Sequence, residues 1–62
     1  MYEGFIADCK SEMYKRKMTN GSLAKATGFK TSTINAFFAN ISGRDKSENV
    51  AKAISAALDI EL

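Results

Sequence analysis

At 62 residues the chain has room for one domain, residues 1–62, because a polypeptide this short buries only about 60% of the surface it exposes when unfolded. It contains no His, no Trp and one Cys, which excludes a disulfide framework, a Cys/His metal centre and a His-based acid/base site. The composition, 45% apolar and 26% charged with a net charge of +2, is that of a globule that folds in water, and no run approaches the roughly 20 apolar residues of a membrane span. The expectation is a non-enzyme with no catalytic residue, no metal, no cofactor and no small-molecule substrate. An acid stands in Met1-Tyr2-Glu3-Gly4-Phe5-Ile6 where a secretion signal carries bases, so a cytoplasmic location is expected, with Cys9 reduced.

No proline occurs and no stretch alternates apolar and polar residues for long, so the pattern predicts an all-α fold of four helices. Phe5, Ile6, Cys9 and Met13 recur at helical steps and give a first helix over 3–17 a single apolar face, with Lys15-Arg16-Lys17 complementing the negative end of its dipole. Within that stripe Cys9 reads as a small buried hydrophobe in preference to a redox group. Thr19 is placed to cap a second helix running to Thr27, Leu23 and Ala24 face inward, and Gly28 ends the helix in the left-handed conformation. Thr31-Ser32-Thr33 open a third helix, about 31–39, that buries Ile34, Phe37 and Phe38. Asn40-Ile41-Ser42-Gly43 reads as a loop. Asp45 with Glu48, or alternatively Ser47, caps a fourth helix whose apolar face is Val50, Ala51, Ile54, Ala57 and Leu58.

Charge is unevenly spread. Residues 1–9 carry −2 and residues 47–62 carry −2, whereas 10–46 hold eight bases (Lys10, Lys15, Arg16, Lys17, Lys25, Lys30, Arg44, Lys46) against Glu12 and Asp45, a sum of +6. No acid lies between Met13 and Arg44, so a polyanion meets only attraction and neutral polar groups there. The same bias also suits a merely solvated face. Over residues 20–39 the small Ala24, the turn residue Gly28 and the branched Ile34 fall where two crossing helices need them. Ala24 permits close approach, Gly28 permits positive φ, and Ile34 with Leu23 and Phe37 fills the wedge, which together predict a helix-turn-helix.

The stretch Met18-Thr19-Asn20-Gly21-Ser22-Leu23-Ala24-Lys25-Ala26-Thr27-Gly28-Phe29-Lys30-Thr31-Ser32-Thr33-Ile34 resembles the phage Cro and lambda-repressor type of helix-turn-helix proteins, the XRE-type regulators. It is similar to that family's leucine, threonine and glutamine, then leucine-alanine, glycine and serine/threonine-isoleucine. Ala57-Leu58-Asp59-Ile60 is similar to the alanine-leucine-glycine-valine that closes the family's fourth helix, and the resemblance covers about residues 2–62. It implies a compact four-helix, lambda-repressor-like domain with a central helix-turn-helix that binds duplex DNA sequence-specifically and regulates transcription, usually as a dimer on a palindromic operator. The chain departs from the family pattern at several positions. Asn20 replaces glutamine, Thr27 replaces an apolar residue, the loop after the third helix is about two residues longer, and the fifth helix is absent, which leaves a homodimer an open expectation. An arginine and glutamate that often pair in the family are here Met13 and Phe38, so an apolar contact is expected in place of a buried ion pair.

With the third helix in the major groove, Thr31, Ser32, Asn35 and Ala36 are the expected base readers, and Lys30, Asn20, Arg44 and Lys46 the expected phosphate contacts. Asn35 is suited to a bidentate adenine contact, and a Thr31 or Ala36 methyl to a thymine methyl. The leading expectation is therefore a stand-alone, Cro-like repressor of a phage or mobile element. The alternative is a protein-binding module, an antirepressor or antitoxin, that uses Phe38, Ile41, Ile60 and Leu62 as an apolar contact surface.

Overall fold

Helix α1, Glu3–Lys15, forms because Phe5, Ile6, Cys9 and Met13 can all be buried from one side of a continuous helix, and all four are. The computed structural model describes residues 2–39 and 44–62, with side chains described from residue 47 onward in the second stretch. Three further helices follow: α2, Asn20–Thr27; α3, Thr31–Phe38; and α4, Arg44–Leu58. The described residues form a compact all-helical domain with no strand among them. No helix among them is long and apolar enough to cross a membrane.

The core takes one face from each helix. Cys9, Leu23, Ile34, Ala51 and Ile54 are fully enclosed, Phe37, Val50 and Leu58 nearly so, and Tyr2, Met18, Phe29, Phe38, Ala57 and Ile60 pack around them. The α2 helix packs most extensively on α3, and α4 lies against the other three. The rings of Tyr2, Phe5, Phe37 and Phe38 form a chain of contacts, with centroids 5.7 Å apart for Tyr2 and Phe37, 6.2 Å for Phe5 and Phe37 and 5.8 Å for Phe37 and Phe38. This cluster ties the start of α1 to the end of α3 in the offset and edge-on geometries that aromatic pairs favour.

Three helices end through left-handed residues. At α2, Thr19 caps the start by accepting from the Ser22 N–H at 3.1 Å, and Gly28, with φ of 81°, ends it, its N–H and that of Phe29 both donating to the Ala24 carbonyl. The expected extension of α1 to Lys17 is not observed, because Arg16 is the C-cap and Lys17 turns left-handed at φ 56°. Met18 N–H then reaches Met13 O at 2.8 Å and Lys17 N–H reaches Tyr14 O at 3.2 Å, the two bonds of a Schellman ending. Asp59, φ 55°, plays the same part after α4, with Ile60 N–H on Ser55 O and the Ser55 hydroxyl on the Ile60 carbonyl. Arg16 joins these two ends: its Nε donates to Glu12 Oε1 at 3.0 Å and its Nη2 to the Leu58 carbonyl at 3.1 Å.

The α3 helix opens at Thr31 as expected, with Lys30 as a cap whose side chain makes no capping bond. The expectation for the start of α4 is corrected. The α4 helix already starts at Arg44, so Asp45 and Ser47 lie inside it. Ser47 is buried there because it precedes Val50 and Ala51 by three and four residues and shares their face. The expected loop Asn40-Ile41-Ser42-Gly43 lies outside the described residues.

At Gly28 an added Cβ meets nothing within 4 Å, so Gly28→Ala carries only the cost of left-handed backbone, about 1–2 kcal/mol. Asp59→Gly should act in the opposite direction, stabilising by about 1 kcal/mol, since it relieves the same strain and removes an acid from the negative end of α4. Thermal melts followed by helical circular dichroism should move down for the first variant and up for the second, by about 4–8 °C per kcal/mol in a domain this small.

Burial, with a smaller contribution from the Asp8 carboxylate, pushes the Cys9 thiol up to about 11 from 9.0. The folded chain therefore keeps a proton that the unfolded chain releases, and this group's contribution to stability falls as pH rises from about 9 towards 11. At pH 8 the folded thiolate is about a hundredfold scarcer than the unfolded one, so alkylation of Cys9 should track denaturation. Rapid labelling of the native chain would contradict this burial.

Candidate nucleic-acid interface

Helix α3 has eight residues, little more than two turns, and its two sides differ sharply. Ile34 and Phe37 are held in the core, whereas Thr31, Ser32 and Asn35 are exposed and Ala36 is half-buried. The exposed positions follow from spacing: Thr31 to Asn35 and Ser32 to Ala36 are four-residue steps, so these side chains share the face opposite the core. The expected base readers are thus brought together on one helix, with Ala36 less accessible than the other three.

The first turns of α2 and α3 lie side by side. A Cβ on Gly21 would sit 3.7 Å from Thr19 Oγ1 and 3.9 Å from Thr31 Oγ1, so glycine leaves the space between the two hydroxyls open. An open groove of about 510 Å³ runs here, lined by Thr19, Gly21, Ser22, Lys25, Lys30 and Thr31 among others. Lys25 and Lys30 pair with no carboxylate among the described residues, while the Arg16 and Lys52 charges are engaged by Glu12 at 3.0 Å and Glu48 at 3.5 Å. The groove thus combines hydroxyls, the N–H groups at the start of α2 and two uncompensated cations, a set suited to anionic oxygens.

Asn20, the first residue of α2, is joined to the outward side of α3. Its Nδ2 donates to Asn35 Oδ1 at 2.6 Å, joining an expected phosphate contact to an expected base reader. Lys30 lines the groove between the first turns of α2 and α3. The side chains of the other two expected phosphate contacts, Arg44 and Lys46, lie outside those described. Lys25 was counted among the bases but given no role from sequence; its place three residues before Gly28, on the outer side of α2, was the available signal.

Two of the departures noted above, Thr27 and the pair Met13 and Phe38, have local explanations. Thr27 donates its hydroxyl to Leu23 O at 2.9 Å, with Ala24 O at 3.2 Å, so the polar group in the wedge is satisfied by its own helix. Met13 is buried, and Phe38 packs half-buried against the core with Lys10 Nζ 6.0 Å from its ring centroid, a cation over an aromatic face. Of the apolar residues suggested for a protein partner, Phe38 and Ile60 pack against the core, Ile41 lies outside the described residues and Leu62 is 60% exposed. Compared with protein-family models, curated proteins and solved structures, the chain matches none, so the family resemblance of residues 18–34 rests on those residues themselves.

Proposed function

We propose that the chain binds duplex DNA through α3 in the major groove and regulates transcription, as a Cro-like repressor that occupies an operator and blocks polymerase. The observation that carries this reading is the two-sided α3: Ile34 and Phe37 anchor it, and Thr31, Ser32 and Asn35 are exposed beside the Lys25 and Lys30 groove. A major groove about 12 Å wide accepts a helix, and hydroxyl and amide side chains meet base edges there. Lys30, Lys25 and the start of α2 then serve the phosphates on either side, which set register without reading sequence. The basic middle of the chain, +6 over residues 10–46, supplies the long-range attraction.

This reading predicts duplex binding that weakens steeply with salt, because each phosphate neutralised contributes about −0.9 to the slope of log affinity on log salt concentration. Fluorescence anisotropy with labelled duplex should show that slope for the parent chain. Lys30→Ala should flatten it by about one unit and weaken all sequences alike. Binding that is absent at low salt, or indifferent to salt, would favour the protein-binding module instead.

A further inference from the structure

A second groove, about 320 Å³, opens where the end of α1 meets the start of α2. It is lined by Lys10, Met13, Tyr14, Met18 and Asn20 and shares no residue with the groove of Lys25 and Lys30. Met13 and Tyr14 follow Lys10 by three and four residues, so one face of α1 supplies all three. Met13 is buried and Met18 half-buried, which makes the floor apolar, whereas Lys10 and Tyr14 on the rim are exposed. No acid lines this groove. Tyr14 is 85% exposed with no hydrogen-bond partner for its hydroxyl among the described residues, and Lys10 pairs with no carboxylate among them.

Two contacts fix this groove beside α3. Asn20 bonds to Asn35, and Lys10 Nζ lies 6.0 Å from the ring centroid of Phe38. Asn35 and Phe38 are three residues apart and mark one flank of α3. A helix about 10–12 Å across fills a major groove about 12 Å wide, so a sugar-phosphate strand runs along each flank of a helix seated there. Such a strand alternates anionic oxygens with apolar sugar faces, and an apolar floor with ammonium and hydroxyl donors on its rim is complementary to both. Resting on the reading that α3 enters the major groove, we infer that the groove between α1 and α2 is a second backbone site: it seats the strand that passes the Asn35 and Phe38 flank, with Lys10 and Tyr14 donating to phosphate oxygens above Met13 and Met18. Two residues of α1 that sequence reading assigned to no contact thereby join the interface.

The test uses the duplex that the purified full chain enriches from a random library, with anisotropy titrations of the parent, Lys10→Met, Lys10→Arg and Tyr14→Phe, each first shown by circular dichroism to be folded. Lys10→Met keeps an apolar stem against Phe38 and removes the charge, so it should flatten the salt slope by about one unit, and Lys10→Arg should restore it. Tyr14→Phe should weaken binding about tenfold, the value of one hydrogen bond to a charged oxygen, with the slope unchanged. Single uncharged methylphosphonate linkages then locate the contact. One position should weaken the parent and leave Lys10→Met unaffected, and it should differ from the position that behaves so for Lys30→Ala. Parental affinity and slope in both Lys10→Met and Tyr14→Phe, or a Lys10→Met that lowers only the melting temperature, overturns the inference while leaving DNA binding in place. The absence of any linkage coupled to Lys10 overturns it too. No duplex retained by the parent at low salt overturns the DNA-binding reading and this inference with it, and Lys10-dependent binding of a polyglutamate peptide by such a chain would assign the groove to an acidic protein instead.

Discussion

The burial of Ile34 and Phe37 is the constraint on which the rest of the structure depends. Both come from a helix of eight residues, too short to be stable alone in water, so α3 exists as a helix only because these side chains are held between α1, α2 and α4. Removing Phe37 would also break the ring contacts that connect Tyr2 and Phe5 to the far end of α3. A chain of 62 residues has a folding free energy of about 3–9 kcal/mol, and truncating one such aromatic costs about 3–5. The outward side of α3 is therefore set by the core: Thr31, Ser32 and Asn35 are exposed because Ile34 and Phe37 are buried.

How much of this was legible in the sequence depended on whether the signal was periodic. The apolar faces of all four helices were readable, since a core face repeats at helical spacing whatever it packs against, and every buried hydrophobe of α1, α2 and α3 lies where that spacing predicts. The turn at Gly28 was readable because glycine is the residue type that enters the left-handed region most easily. Lys17 enters the same region with nothing in its residue type to announce it, whereas Asp59 belongs to a type that visits that region more readily than most. The run Lys15-Arg16-Lys17 looked like a helix's last turn complementing its dipole. Instead Arg16 closes the helix and reaches Leu58 O, a contact across 42 positions that no local pattern encodes.

The site was legible in part for the same reason. Spacing alone put Thr31, Ser32, Asn35 and Ala36 on one outward face, and charge arithmetic found the basic middle of the chain. What local spacing cannot supply is the joining of two amides 15 residues apart. Asn20 and Asn35 were assigned to different classes of contact, and the structure brings them within a hydrogen bond. Phe38 is similar: its composition marked it as core or contact surface, and its half-buried place beneath Lys10 follows only from how α1 and α3 pack.

The amide pair of Asn20 and Asn35 contributes little to folding. Both side chains are accessible to water, where a hydrogen bond between neutral groups exchanges with solvent at a net gain of about 0.5–1.5 kcal/mol at most. The folded state barely depends on it. In a groove from which water has been displaced, the alternatives that solvent offers are gone, and the same bond is electrostatically stronger. The stability of the domain is set elsewhere, at Leu23, Ile34, Phe37 and Ile54. The outward side chains of α3 can accordingly vary with little effect on stability, even though one short helix carries both them and the core anchors.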